Sequence, residues 1–363
     1  MAVVDWDNVL VLQTSFLGDM VLTLPLIAEI RRRFPVKKLS LMCTPLGQEL
    51  LQDHPAIDEI IVDDKKKQHR GWRGLLNQAA LLRRREFTIA LTPHKSARTA
   101  YLLYKAKIPQ RIGFRQSKGW FLYHRRAERD PSRHDVERNL AILEPLGVRL
   151  QDCARSLDLV PPPEVEHAVA RKLGDLGFDA GKTAIGVNPG SVWPTKRWDR
   201  EGFAEFIDLV NARLDCQVLL FGGAEDADMV ARLAERCAGA AVNLAGKFSL
   251  RELPAAIGRC QVFVTNDSGP MHIAVARKVP TVAIFCATTP DLGFYPYSAN
   301  AIVVQKQLAC RPCTTHGGRR CPLVHENCIR QIRPQTVLTA VEKLLAGEVS
   351  GDRDRSLPEF LAA

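Results

Sequence analysis

Asp19 follows an apolar run, Val9 to Gln13, and a short loop, Thr14 to Gly18. A carboxylate standing where a strand ends and a helix begins has two uses. It caps the helix start, or it takes a proton from a hydroxyl group presented at the end of the sheet. A helix N-terminus keeps such a group ionised without raising its basicity. A second segment, Asn188-Pro189-Gly190-Ser191-Val192-Trp193-Pro194-Thr195-Lys196-Arg197-Trp198, also follows a strand-like run. Its Gly/Ser turn offers backbone N–H groups and Lys196 a compact positive charge, a combination that suits a diphosphate. The spacing of a P-loop is absent.

Two further strand ends carry similar chemistry. Thr265 leads through Asn266 into Asp267, Ser268, Gly269 and, one helical turn on, His272. Open α/β sheets bind ligands at such ends, although Asp267 or Ser268 also reads as a helix cap and His272 as a hydrogen-bonded core residue. Phe221-Gly222-Gly223-Ala224-Glu225-Asp226 places glycines where a ribose or base comes close, with Glu225 or Asp226 to bind ribose hydroxyls. Asp226-Ala227-Asp228 is formally a metal-holding Asp-x-Asp triplet, but the same triplet recurs at Asp5 and Asp352, so these acids read as favourable first-turn residues. Near the C-terminus, Cys310, Cys313, Cys321 and Cys328 stand with His316 and His325 between and among them. In a reducing compartment this spacing fits a structural zinc or another thiolate-bound metal. Because the second pair is no Cys-x2–4-Cys knuckle, buried reduced thiols or a disulfide are the competing readings.

The elements that must position these residues alternate. Val9–Gln13, Leu39–Cys43, Ile60–Val62 and Thr88–Leu91 read as strands, with one helix expected over Asp19–Phe34 that ends in three arginines before Pro35. After Pro161, Pro162 and Pro163 the alternation restarts with strands at Thr183–Val187, Cys216–Phe221, Val262–Thr265 and Thr281–Phe285, and helices at Glu201–Arg213 and Asp226–Cys237. The pattern predicts an α/β protein of two domains with parallel sheets. We expect the domains over residues 1–163 and 164–350, followed by a loosely held polar tail over 351–363.

Charge is unevenly distributed. The net charge of the 363 residues is +10. Residues 1–150 hold 26 lysines and arginines against 16 acids, and the remainder balances. The first domain is thus expected to meet something anionic, whether nucleic acid, a phospholipid surface or a phosphorylated substrate. No run is long enough to span a bilayer, and the N-terminus lacks a basic region followed by an apolar run, so a cytoplasmic location with reduced cysteines is expected.

Val9–Pro25 with its Gly18-Asp19, Asn188–Trp198, the Phe221–Asp226 turn and Asp267-Ser268-Gly269-Pro270-Met271-His272 together resemble the bacterial ADP-heptose:lipopolysaccharide heptosyltransferases, and the cysteine segment resembles the heptosyltransferase II-like branch. The resemblance implies a GT-B architecture: two Rossmann-like domains whose parallel sheets face across a cleft, the acceptor on the first and the nucleotide sugar on the second. It implies an inverting, metal-independent transfer of heptose from ADP-heptose to the inner core of lipopolysaccharide, with no cofactor required for catalysis. By position, Asp19 would be the general base and Lys196 would stabilise the departing diphosphate. Ser191, Gly222, Glu225, Asp267, Ser268, Gly269 and His272 would line the donor site, although Val192 lacks a hydroxyl that some relatives carry. Lys95, Arg98 and Arg111, with Lys105 and Arg115, are the acceptor-side candidates. The expected partners are ADP-heptose, the anionic inner-core acceptor and the cytoplasmic face of the inner membrane in peripheral contact, with no nucleic acid. The alternatives are a nucleic-acid-binding protein with a cysteine-bound metal, and a GT-B relative that uses another nucleotide sugar.

Overall fold

The computed structural model describes residues 5–237, 241–352 and 356–363. The chain forms two compact units, Met1–Asp158 and Leu159–Ala363. Pro161 and Pro162 therefore lie at the start of the second unit, and Pro163 opens its first helix, where a missing N–H costs nothing.

The first unit contains strands β1 (Asn8–Leu12), β2 (Lys38–Cys43), β3 (Glu59–Val62), β4 (Ile89–Leu91), β5 (Gln110–Phe114) and β6 (Arg125–Ala127). They form one parallel sheet in the order β3-β2-β1-β4-β5-β6. β1 is buried from Val9 onward, as a strand covered by helices on both faces must be. The helices are α1 (Leu17–Leu22), α2 (Leu24–Arg33), α3 (Pro45–Leu51), α4 (Gly71–Arg84), α5 (Ala97–Lys105) and α6 (Asp135–Leu140). The single helix expected over Asp19–Phe34 is thus two. Thr23 separates them, its hydroxyl donating to the Asp19 carbonyl at 2.7 Å, and Pro25 has no N–H to continue the ladder. β5 and β6 escaped the sequence reading because arginines and a glycine interrupt their apolar run.

The second unit repeats the plan. Its strands are β7 (Thr183–Asn188), β8 (Cys216–Leu220), β9 (Ala241–Asn243), β10 (Val262–Asn266), β11 (Thr281–Phe285), β12 (Ala301–Gln305) and β13 (Glu359–Ala362). The order β13-β12-β11-β10-β7-β8-β9 is that of the first sheet, extended by one edge strand. The helices are α7 (Pro163–Asp175), α8 (Arg200–Arg213), α9 (Ala227–Arg236), α10 (Leu253–Ile257), α11 (Gly269–Ala276), α12 (Asn327–Arg330) and α13 (Pro334–Ala346). Phe203, Phe206, Val337 and Val341 pack α8 and α13 together over β10 to β12. The tail is held at its end. β13 pairs in parallel with β12, and Glu359 is tied to Lys343 and to the Ser350 N–H. Its half-exposed edge position, carrying Phe360, explains why composition did not announce it.

In both sheets the order reverses beside the first strand of the unit, between β1 and β4 and between β7 and β10. At such a switch point the loops leaving neighbouring strands part and open a crevice. The loops bearing Asp19, Lys196 and Asp267 all leave these strands.

Candidate functional site

In the second unit β7 and β10 run side by side, with Asn188 in register with Thr265. Asparagines at the strand ends fasten the loops. Asn266 Nδ2 donates to the Pro189 carbonyl at 2.8 Å, and its Oδ1 accepts from the Trp198 N–H at 2.9 Å. Asn188 Nδ2 donates to the Gly190 carbonyl at 3.2 Å. This fixes the segment carrying Ser191 and Lys196 against the start of α11. Lys196 Nζ then lies 2.6 Å from Asp267 Oδ2, which also accepts from the Thr288 hydroxyl at 2.6 Å. Both charged side chains are largely buried, so the pair forms a positioned cation with its counter-charge rather than a solvated surface bridge.

Ser268 stands at the N-cap of α11, yet its side chain makes no capping bond. Its hydroxyl lies 3.3 Å from that of Thr265. Gly269 and Pro270 follow; Pro270 has no N–H and the Met271 N–H donates to the Ser268 carbonyl at 3.2 Å, so the Gly269 N–H is the donor that opens the helix. His272 on the same helix is buried, and burial pushes its imidazole down to about 4. Asp267 opposes that shift and Lys196 adds to it. It is a neutral ring near pH 7 whose Nδ1 has no hydrogen-bond partner among the described residues. A buried ring nitrogen without a partner is an unsatisfied polar group, and this one lies close to the Lys196–Asp267 pair.

Gly222 and Gly223 follow β8. A Cβ on Gly222 would press on Asp226, Val230 and Ala245, so the turn is tight because it must be. Glu225 is exposed and folds back over Gly223. Asp226 packs over Gly190, where any side chain would collide with its carboxylate, and faces Arg197 at 3.7 Å. Arg197 in turn donates from Nε to the Ser191 carbonyl at 2.7 Å. Asp226 and Arg197 are therefore woven into the loop that presents Ser191 and Lys196, whereas Glu225 stands at its rim.

The cysteine segment braces this loop. The Thr195 N–H and hydroxyl both donate to the Gly318 carbonyl, at 3.2 and 3.0 Å, and the Gly318 N–H is 2.7 Å from the same hydroxyl. Gly317, at φ +88°, lies against the aliphatic stem of Lys196 and the Trp193 Cβ, so no larger residue fits there. Arg311 donates to the carbonyls of Phe285 and Thr288. The possible structural zinc at these cysteines has no support in the arrangement of the side chains. All ten cysteines are free, and among the described residues no group of three or more His, Cys, Asp or Glu side chains is arranged to hold a metal ion. Burial pushes the Cys328 thiol up to about 11, with Cys313, Cys321 and Cys310 adding to the rise against Arg311. Cys310, Cys313, Cys321 and Cys328 are free thiols here. They belong to a strap that contacts both the Lys196 loop, through Gly317 and Gly318, and the segment after β11, through Arg311 and Cys313.

In the first unit, Asp19 sits in the first turn of α1, and its Oδ2 accepts from the Phe16 N–H at 3.0 Å. The capping role is real, and the carboxylate still keeps some exposure. Its pKa is raised to about 7, first by burial and then by Asp135, with the Phe16 N–H and Arg129 pulling the other way. Asp135 on α6 is itself buried and paired with Arg129 and Arg138. Lys95, in the loop after β4, senses the same Arg129, Asp135 and Arg138, so it belongs to the charge cluster around Asp19. Arg98 is differently engaged, paired through both terminal nitrogens with buried Asp63 and donating to the His69 carbonyl. Arg111 donates to the Leu122 and Ile108 carbonyls and lies over the Tyr104 ring, an arrangement that holds a turn. Lys65, not singled out from the sequence, donates to the Thr14 carbonyl at 2.6 Å. Burial and Arg98 lower its pKa, with Asp63 opposing.

Sequence reasoning therefore missed Asn266, Arg197, Thr195, Thr288 and Arg311 around Lys196, and Arg129, Asp135 and Lys65 around Asp19. Asn266 alone carried a signal, since an asparagine ending a β-branched strand is out of place unless its side chain is used.

Comparison with known proteins gives the family. The family model described as glycosyltransferase family 9 (heptosyltransferase) matches residues 76–323. The chain is similar to lipopolysaccharide heptosyltransferase 2 of Salmonella typhimurium, 29% identical over 94% of this chain and 99% of the relative. It is similar to lipooligosaccharide heptosyltransferase 2 of Campylobacter jejuni, 27% identical over 91% and 96% respectively. Among solved structures it resembles a family 9 glycosyltransferase from Veillonella parvula, with a TM-score of 0.82, 28% identity and coverage of 96% and 99%. It also resembles the E. coli ADP-heptose lps heptosyltransferase II, with a TM-score of 0.75, 26% identity and coverage of 94% and 99%. The two parallel-sheet α/β units are those of a GT-B enzyme, and this chain belongs to glycosyltransferase family 9.

Proposed function

We infer that this chain transfers a heptosyl group from ADP-heptose to a hydroxyl of the inner core of lipopolysaccharide, with inversion at the anomeric carbon. The observation that carries the reading is the pairing of opposite chemistries at the two equivalent switch points: a carboxylate with its pKa near 7 after β1, and a buried lysine beside a helix N-terminus after β7 and β10. Residues 1–163 hold the acceptor and residues 164–350 the donor in this reading. The acceptor oxygen bonds to the anomeric carbon while its proton passes to Asp19, and the bond from that carbon to the ADP oxygen breaks. A base titrating near neutrality is half ionised there and strong enough to take the proton. Lys196 and the Gly269 N–H at the start of α11 meet the negative charge that develops on the departing diphosphate. Asp267 holds Lys196 in place, Ser268 and Gly269 offer donors, Ser191 and Gly222 shape the pocket, and Glu225 reaches the ribose. The unpartnered His272 Nδ1 receives a polar group of the donor.

The acceptor's anionic inner core fits the positive charge of residues 1–150, with Lys95 beside Asp19 and Arg98 and Arg111 further out. Among the described residues no helix is long and apolar enough to cross a membrane. A peripheral location at the cytoplasmic face of the inner membrane follows from the lipid-linked acceptor. The test is ADP release on mixing the protein with ADP-heptose and heptose-deficient lipopolysaccharide. Release that requires both substrates and survives excess chelator is expected, and no release with either heptose epimer would end the reading.

A further inference from the structure

Beside the Asp19 loop the first unit carries a cavity of about 570 Å³ between α4, α5 and the turn Trp120–Leu122. Trp72, Leu75, Tyr101, Phe121 and Leu122 make its walls. Trp72 and Phe121 are 59% and 64% exposed, an unusual position for large aromatic side chains on a protein surface. The cavity is built into the fold. Trp72 is held by its ring contact with Tyr101 at 4.9 Å between centroids, and Gly119 lets the turn close on α5, since a Cβ there would meet Ala100 Cβ at 2.5 Å. Lys65, Arg98 and Lys118 also line the cavity, and Lys105 lies over the Tyr101 ring at 5.3 Å. Lys65 donates to the Thr14 carbonyl at 2.6 Å in the loop that leads to Asp19, and the Lys118 N–H donates to the Lys95 carbonyl at 3.2 Å. Arg98 is already neutralised by Asp63. Apolar walls, lysines among the lining and a bond from the Lys65 side chain to the Asp19 loop describe a site for an acyl chain whose headgroup is anionic.

We propose that this groove takes one acyl chain of the acceptor's lipid anchor, a single anionic amphiphile rather than a bilayer surface, with the headgroup charge at Lys65 and Lys118. The proposal rests on the lipopolysaccharide reading above, but its binding test does not use turnover. A free phosphate supplies the headgroup chemistry alone and a bilayer supplies many headgroups at once. A chain in the groove is distinguished from both by dependence on chain length, about fourfold in affinity for each methylene removed from water.

The experiment titrates the full chain with octyl, decyl and dodecyl phosphate below their micelle concentrations by calorimetry, with inorganic phosphate and phosphatidylglycerol vesicles as separate arms. The expected result is saturable binding of one alkyl phosphate per chain, tightening about tenfold or more for each two carbons, with inorganic phosphate far weaker. Phe121→Ser, which removes a wall, and Ala97→Phe, which fills the groove from the exposed start of α5, should each weaken dodecyl phosphate at least tenfold while melting like the parent. The same variants should raise KM for the acylated acceptor and leave kcat and KM for its deacylated form unchanged. Affinity independent of chain length overturns the proposal, as does binding to vesicles without binding to monomeric dodecyl phosphate. Unchanged affinity in both folded variants overturns it too. Saturable alkyl phosphate binding without sugar transfer would keep the groove and remove the proposed function instead.

Discussion

The two units build their switch points with the same strand order and then treat charge in opposite ways. In the second unit Lys196 meets Asp267 at 2.6 Å, Thr288 completes the carboxylate, and the strap carrying Gly317 and Gly318 holds the loop from outside. The charges of this site are balanced and hydrogen-bonded within the unit itself. In the first unit Asp19 is left close to another carboxylate, Asp135, and its proton affinity rises as a result, behind only the effect of burial. A group that must exchange a proton benefits from an environment where its two states are nearly equal in energy. A group that must only stabilise negative charge benefits from being fixed beforehand. The contrast is between a titrating site and a preorganised one, on the same scaffold.

The comparison breaks most readily at Asp19. Asp19→Asn should lower kcat by about 10²- to 10⁴-fold while calorimetry finds ADP binding unaltered; near-normal turnover would remove Asp19 from the base role. On the other side, Thr195→Ala removes the hydroxyl that meets Gly318 at both its carbonyl and its N–H, while leaving the charge of Lys196 in place. We expect a loss of about tenfold in kcat/KM, since one or two net hydrogen bonds are at stake, read mainly as weaker ADP binding. Unchanged ADP affinity would show that the strap does not position the lysine. The smallest effects separate the sites by pH. kcat/KM should rise through about pH 7 as Asp19 ionises, and Asp135→Asn should move that inflection to lower pH by removing a negative neighbour. The same raised pKa has a cost in stability. Between the ordinary 3.8 and about 7 the folded chain binds the Asp19 proton that the unfolded chain releases, so ionisation disfavours the fold increasingly across that window. Asp19→Asn should therefore raise Tm by about a few degrees at pH 8 and not at pH 3.5; an equal gain at both would deny the shift.

Much of the plan was legible in the residues themselves. Strands buried on both faces, such as β1, β10 and β11, announce themselves as unbroken apolar runs, and glycines, serines and acids just beyond them locate the ligand ends of a parallel sheet. Edge strands β6 and β13 carry no such signal, because a half-exposed strand of three or four residues needs little apolar content. Charge counts drew attention to the basic first unit but did not distinguish its arginines. Arg98 and Arg111, similar in the sequence, turn out to be an ion-pair partner and a turn brace, while Lys95 alone of the three faces the Asp19 cluster.

The amino-acid sequence by itself determined the two βα repeats, the strand ends that carry chemistry and the excess of positive charge, since these rest on local periodicity and composition. Only the tertiary structure decided the partnerships: Lys196 with Asp267, Thr195 with Gly318, and Asp19 near Asp135. Those pairs join residues 71, 123 and 116 positions apart. Proximity, which sets both pKa and positioning, is a property of the folded chain that no local pattern encodes.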